Sequence, residues 1–248
     1  MSQLFEVVES VKGNGTEFQI LQYESLQNSE LHVHQKIGNR VHQVRVLLQD
    51  GKIISETDIF YFLRGQIQID HKMKKANTKL KKLASSMVKN EAVLKPTYEG
   101  TGEIYFKPRL VNYLIYQLND EEIVIDSDMF VCAEATIQIS LTQSKKMPVT
   151  AAKFADQFTQ TMLSGSGVVV LKSPVPSSEL LEIELHNDRF QTDENLVVFR
   201  TGDIEFTVES AAKSLLSSFT STEAFLRTYT GTGKIWISPT QLFYNKKE

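Results

Sequence analysis

A Gly-x-Gly motif recurs three times along the chain at a nearly constant spacing. It occurs at Gly100–Gly102, Gly165–Gly167 and Gly231–Gly233, so that the first glycines are 65 and 66 residues apart. A repeat of this length predicts one supersecondary unit that is used several times. Apolar residues follow each motif, and each apolar run is followed by a proline: Pro108, Pro174 and Pro239.

Each glycine pair predicts a bend through which a short strand begins. Glycine tolerates a positive φ and a close backbone approach because it has no Cβ atom. A phosphate-binding loop would need a helix after the glycines, but a strand pattern follows here, which argues against nucleotide binding. We therefore interpret six glycines as structural turn positions: Gly100, Gly102, Gly165, Gly167, Gly231 and Gly233.

An acidic strand and turn pattern accompanies the glycine motif. It runs from Asp50 to Phe60, from Asp120 to Phe130 and from Asp193 to Val197. Its Asp, Ser, Asn and Gly residues favour turns, and Leu48–Gly51 has the composition of a hairpin. Because a catalytic or calcium site is needed once whereas turns are needed in every unit, we interpret the acidic pairs as turns: Glu56/Asp58, Asp126/Asp128 and Asp193/Asn195.

Apolar residues at helical spacing follow the strand patterns. They predict helices in Met73–Met87, Ala151–Met162 and Ala211–Phe219, and residues 25–45 predict an additional hairpin that turns at Gly38-Asn39. The predicted fold is mainly β, with internally repeated sandwich-like or barrel-like units in a pseudo-threefold arrangement and short connecting helices. The units form one compact body and comprise residues 1–97, 98–162 and 163–228, with 229–248 as a closing strand.

The composition of the chain limits which partners and which kinds of site it can have. The chain of 248 residues has a net charge of −3, which gives no general attraction to nucleic acid or anionic membranes. Its one cysteine, Cys132, excludes an intramolecular disulfide framework, and we interpret it as a buried, unreactive thiol. Trp236 is interpreted as a core or interface residue.

The N-terminal residues lack a signal-peptide pattern and no long apolar run is found, which predicts a cytoplasmic protein.

The third copy of the motifs resembles a known family. Phe225–Arg227 before the last Gly-x-Gly, with Ile183–Leu185 and Asp193–Leu196, is similar to the mitochondrial-biogenesis family named for altered inheritance of mitochondria. The resemblance covers residues 45–240. It implies a β-sandwich repeated around a pseudo-threefold axis, likened to the tryptophan RNA-binding attenuator protein, without an established enzymatic activity. Eukaryotic members of the family are associated with organisation of the inner membrane.

Three histidines form a pattern that could bind a metal. His32 and His34 would share one face of a strand, and His42 could join them if the intervening turn has a three-residue loop. A cupin-type site would need a glutamate four or five positions after His34, where Gly38 and Asn39 stand. We therefore expect solvated histidines and no cofactor, with a metal-dependent or small-molecule enzyme on a cupin-like barrel as the alternative.

A lysine-rich segment is the one unrepeated feature. Residues 72–89 contain seven lysines and no acidic residue. A basic amphipathic helix can contact an acidic partner or a membrane surface, although lysines also form ordinary solvated helix faces. The candidate surface residues are Lys72, Lys75, Lys79 and Lys82.

These patterns together predict a non-enzymatic scaffold or binding protein that forms a homo-oligomer. An enzyme using His32, His34 and His42 is the first alternative. A nucleic-acid binder, by analogy with the attenuator protein, is the second. No basic and aromatic docking residues can be located for that second alternative, so we do not expect nucleic acid as a partner.

Overall fold

Antiparallel β-strands make up almost all of the structure, a computed structural model that describes residues 4–23, 40–70, 95–143, 159–210 and 225–244. The strands are β1 (Phe5–Lys12), β2 (Thr16–Tyr23), β3 (Val41–Ser55), β4 (Phe60–Asp70), β5 (Thr97–Phe106), β6 (Asn112–Asp126), β7 (Phe130–Glu134), β8 (Gln138–Gln143), β9 (Thr159–Ser173), β10 (Leu181–Thr192), β11 (Val197–Ser210) and β12 (Phe225–Ile237). Within these ranges the helical elements are a 3₁₀ turn at Ser177–Glu179 and the short helix α1 at Gln241–Tyr244. The predicted mainly β class is confirmed.

The strands form one large open sheet. A continuous path of paired strands runs β4-β5-β3-β7-β9-β6-β11-β12-β10, and each neighbouring pair is antiparallel. The β1–β2 hairpin pairs with β3 through β2, and β8 pairs with β9. Among the described strands, β4 pairs with β5 alone and β10 with β12 alone, so these two strands are the open ends of the path.

Each Gly-x-Gly motif lies on the central strand of a group. The first group has β5 between β3 and β4, the second has β9 between β6 and the pair β7 and β8, and the third has β12 between β10 and β11. Hydrogen bonding therefore connects each motif with strands that precede it along the chain. The division at residues 97, 162 and 228 and the pseudo-threefold arrangement stay predictions.

The motif glycines lie inside these strands rather than at turns. Gly102 and Gly233 have φ values of 152° and 158°, and a Cβ on either would stand 2.2 Å from a backbone oxygen of the neighbouring strand. At these two glycines the expected positive φ and tight packing are thus present, but they serve close contact between strands. The glycine interpretation as turn positions is corrected accordingly.

The bend expected at each motif lies on the opposite strand as a β-bulge. The bulge residues Asp50, Asp120 and Asn187 have φ values of 55°, 55° and 53°, and the strand register shifts at each of them. The prediction of a hairpin at Leu48–Gly51 is therefore wrong, because β3 continues through it. Each bulge N–H donates a hydrogen bond to the hydroxyl between the two motif glycines: Thr101 (3.1 Å), Ser166 (2.9 Å) and Thr232 (3.0 Å).

One predicted helix ends in a strand. Gln160–Met162 belong to β9 and pair on both sides, with β6 and with β8. Two neighbouring strands satisfy the backbone there, which overrides the helical spacing of the apolar side chains. Residues 151–158 of that segment, the other two predicted helices and the predicted turn at Gly38-Asn39 lie outside the described residues.

Buried apolar side chains form three clusters, and the first two contain residues from neighbouring groups. Ile53 and Cys132 are fully buried in the first cluster, and Ile54 packs in the second. Burial raises the pKa of the Cys132 thiol, as expected for an unreactive cysteine. Trp236 packs against the second cluster with its ring stacked on Phe199, with a centroid distance of 4.2 Å.

Candidate functional site

Two short ladders join neighbouring groups of the sheet. In the first junction ladder, Ile53–Ser55 of β3 pair with Cys132–Glu134 of β7. In the second junction ladder, Ile123–Ile125 of β6 pair with Phe199–Thr201 of β11. Each ladder begins three residues after a bulge residue, Asp50 or Asp120. The two junctions therefore share one register.

Strand register identifies one equivalent position in each of the three groups. This position pairs with the residue three places after the second motif glycine, and it follows a register shift in its own strand. The equivalent residues, with their partners, are Phe62 with Tyr105, Cys132 with Val170, and Phe199 with Trp236.

Phe62 differs from its two counterparts in exposure. It is 46% exposed, whereas Cys132 is 0% and Phe199 is 2% exposed. β7 and β11 are covered at this point by β3 and β6, but none of the described strands covers the outer side of β4. The neighbouring Tyr61 is 57% exposed, with its ring centroid 5.4 Å from that of Phe62. Tyr61, Phe62 and Tyr105 form what we call the β4 edge patch.

Polar contacts hold this patch in place. The Phe62 ring stacks on Tyr105 with centroids 4.4 Å apart and planes at 17°. The Tyr105 hydroxyl donates to Glu103 Oε2 (2.7 Å) and accepts from Arg45 Nη1 (3.3 Å). Arg45 is itself held by Gln19, whose Oε1 accepts from Arg45 Nε at 2.7 Å. An exposed aromatic pair on a fixed support, beside a strand edge that no described strand occupies, suits the addition of another strand.

The other open edge carries the counterpart of the junction strands. Phe190–Thr192 of β10 begin three residues after the bulge residue Asn187, as Ile53–Ser55 do after Asp50. Phe190 packs against the third cluster, Thr192 is buried and Gln191 is exposed. The β10 edge thus presents the segment that makes a junction in the first two groups.

A buried polar network flanks the second junction ladder. Arg200 Nη1 donates to Gln160 Oε1 at 2.8 Å, and Gln160 and Asn195 both donate to Asp126. The Arg200 guanidinium lies 5.7 Å from the centre of the Tyr229 ring. Burial raises the pKa of Asp126 and lowers that of Arg200. Because these side chains form hydrogen bonds with each other across three strands and a turn, we assign them a structural role.

An ion pair occupies the corresponding place at the first junction. Lys95 is 4% exposed, and its Nζ donates to Glu56 Oε2 at 2.6 Å. Burial acts to raise the pKa of Glu56, but hydrogen bonds from Lys95 and from the Thr57 N–H outweigh it, so the pKa is lowered. The structure thus places Glu56/Asp58 and Asp126/Asp128 at turns between strands, as interpreted from the sequence.

Glu134 is a buried carboxylate that sequence reasoning missed. Its Oε1 accepts from the Asn14 N–H (2.7 Å) and the Thr16 hydroxyl (2.8 Å), and its Oε2 accepts from the Val168 N–H (2.9 Å). The side chain therefore ties the β1–β2 hairpin to β9. A single glutamate after an apolar run, without a repeated counterpart, gives no sequence signal for this role.

The predicted histidine site is represented by His42 alone. It is buried, with Nδ1 2.9 Å from the Val111 carbonyl and Nε2 3.3 Å from Gln22 Oε1, and burial lowers its pKa. His32 and His34 lie outside the described residues, and so do all four candidate lysines, Lys72, Lys75, Lys79 and Lys82. In the part of the chain that the structure describes, no three potential metal ligands come together.

Comparisons with known proteins place this open β-sheet protein in a family. A Streptococcus pyogenes protein known from its X-ray crystal structure is similar over 89% of this chain and 93% of its own, with a TM-score of 0.61. Its sequence identity of 13% shows a shared fold alone. No curated protein sequence matches the chain. The profile described as Mitochondrial biogenesis AIM24 matches residues 34–240, so the chain belongs to that family, as the sequence resemblance predicted.

Within the described ranges, no helix has the length and apolar character needed to cross a membrane.

Proposed function

We propose that this protein is a non-enzymatic cytoplasmic scaffold that binds a partner strand along the open edge of β4. The observation that carries the proposal is the 46% exposure of Phe62, at a position that is covered in the other two groups. A strand added there would pair with the β4 backbone and cover the β4 edge patch.

The energetics favour such an addition. Complete burial of a phenylalanine side chain contributes about 1.5–3 kcal/mol, and Phe62 is still half accessible. Each new backbone hydrogen bond adds about 0.5–1.5 kcal/mol net. Because Tyr105 is already fixed by Glu103 and Arg45, little side-chain order is lost on binding.

A peptide-binding experiment tests the proposal. The purified protein is titrated into labelled peptides of about ten residues, a strand length, with alternating apolar and polar side chains, and fluorescence anisotropy is recorded. We expect Phe62→Glu to weaken binding by about tenfold or more, because it places a charge under the added strand. Leu141→Glu is the matched control, since Leu141 is 41% exposed on β8, which also pairs on one side alone among the described strands.

Two results would overturn the proposal. One is that none of the peptides binds the wild-type protein at a dilution at which it is monomeric. The other is that Phe62→Glu and Leu141→Glu bind the peptides equally well, which would place the binding surface elsewhere.

A further inference from the structure

We infer that the strand which the β4 edge accepts is β10 of a second copy of this chain. The inference rests on the proposed function and names its partner. It follows from the register of the two junction ladders, from the exposure of Phe62 and Gln191, and from the position of β4 and β10 at opposite ends of the sheet path.

The two junction ladders obey one pairing rule. In each ladder, one strand contributes three residues that begin three places after its bulge residue. The other strand contributes a three-residue segment, which we call the covered segment. The first residue of the former pairs with the third residue of the covered segment, and the next two pairs follow in antiparallel order. Thus Ile53, Ile54 and Ser55 lie opposite Glu134, Ala133 and Cys132, and Ile123, Val124 and Ile125 lie opposite Thr201, Arg200 and Phe199.

The same rule pairs the two segments that remain. Counting three residues from Asn187 gives Phe190, and the covered segment equivalent to Cys132–Glu134 is Phe62–Arg64. The rule places Phe190, Gln191 and Thr192 opposite Arg64, Leu63 and Phe62. Among the described strands, Phe190–Thr192 and Phe62–Arg64 are therefore two segments without a junction partner whose registers fit each other.

This third ladder joins two chains. Within one chain, β4 and β10 end the path of nine paired strands on opposite sides, and the two strands are not paired with each other. A contact between different surface patches of two copies is heterologous, and it produces a closed ring or a filament according to the rotation between copies.

The side chains at the new ladder are compatible with both free and paired states. At the first junction, the middle residue Ile54 lies beside Ala133 in the core cluster of the following group. In the third ladder, Gln191 would cover Leu63, which is half-buried against the first cluster. A polar Gln191 tolerates water when the β10 edge is free, unlike Ile54.

The rule also limits the contact to one half of β4. Gln66–Asp70, the second half of that strand, corresponds to β8 and to the second half of β11, since these segments pair with the central strand from its glycine motif towards its N-terminal end. Neither junction ladder extends into that half. The predicted partner strand therefore contacts Phe62–Arg64 and leaves Gln68 uncovered.

Cysteine cross-linking between two chains tests the register. Leu63→Cys protein is mixed with Gln191→Cys protein, oxidised, and analysed on a non-reducing gel. Directly opposite residues of antiparallel strands have Cβ atoms about 5 Å apart, near the separation that a disulfide needs. Gln68→Cys mixed with Gln191→Cys is the matched control, and the wild type reports on Cys132, which is 0% exposed.

We expect the Leu63→Cys and Gln191→Cys mixture to form a mixed dimer about tenfold or more above the control, because pairing raises the effective concentration of the two thiols. Equal cross-linking in the two mixtures would overturn the inference. A second result would also overturn it. If a single chain that carries both Leu63→Cys and Gln191→Cys forms an internal disulfide at high dilution, the sheet closes on itself within one chain. If circular dichroism shows that Leu63→Cys is unfolded, the pair Arg64→Cys and Phe190→Cys replaces it.

The outcome separates this inference from the proposed function. If strand peptides bind at the β4 edge but the chains do not cross-link in this register, the scaffold proposal stands and the second copy is not its partner. If neither peptides nor a second chain bind at Phe62, both proposals fail.

Discussion

Phe62 and Phe199 occupy the same register position in two groups of the sheet but differ in their surroundings. Phe199 stacks on Trp236 with ring planes at 11° and is 2% exposed beneath β6. Phe62 stacks on Tyr105 with ring planes at 17° and is 46% exposed. The local strand geometry is thus the same at both places. Burial at this position is determined by the neighbouring group, and the first group lacks such a neighbour among the described strands.

Alanine substitutions at these two positions should show the largest difference in the free energy of unfolding. Phe199→Ala should lower the free energy of unfolding by about 3–5 kcal/mol, because it leaves a cavity in a covered core. Phe62→Ala should cost less than about 1.5 kcal/mol, mainly the loss of a partly exposed aromatic pair. Urea unfolding of both variants at high dilution measures the difference. Equal losses would show that β4 is covered in the single chain.

A second comparison concerns the position two residues further along the covered segments, where Glu134 corresponds to Arg64. Glu134→Ala should cost about 2–3 kcal/mol, since it leaves buried donors at Asn14, Thr16 and Val168 without their acceptor. Arg64→Ala, at an exposed position, should change stability by less than about 0.5 kcal/mol. Chemical denaturation of the two variants decides this, and a large loss for Arg64→Ala in dilute protein would contradict the equivalence.

The two junctions should also respond to pH with opposite sign. The pKa of Glu56 is lowered, so the stability that it contributes is present above the unfolded-state pKa and is lost as pH falls through the lowered value. The pKa of Asp126 is raised, so its contribution is present at low pH and is lost as pH rises through the raised value.

Unfolding measurements from acid to neutral pH, on single variants, check these signs. Relative to wild type, Glu56→Gln should become less stable as pH rises, whereas Asp126→Asn should become relatively more stable over the same interval. The same direction of change for both variants would be incompatible with the two environments described for the junctions.

Sequence patterns predicted the mainly β class and the family, because glycines and turn residues report local backbone needs. They did not separate a bulge from a hairpin at Asp50-Gly51, since both use the same residue types. Helical spacing up to Met162 was overridden by pairing of β9 with two neighbours. Local signals of this kind carry no information on which strands become neighbours.

The candidate site was missed for the same reason. Phe62 and Phe199 lie in similar apolar runs. Neither run indicates that one of the two residues is covered by a strand from another group. The polar network at Arg200 and the clamp at Glu134 join residues that are far apart in sequence. Such contacts depend on the register of the junction ladders, which only the fold establishes.

Hydrogen–deuterium exchange of the wild-type protein at low and high concentration tests most directly whether β4 accepts β10 of a second copy. We predict that amides within Phe62–Arg64 and Phe190–Thr192 exchange more slowly at high concentration, while those of Gln66–Asp70 are unchanged. Unchanged exchange in both ladder segments, or protection confined to Gln66–Asp70, would contradict the pairing of β4 with β10.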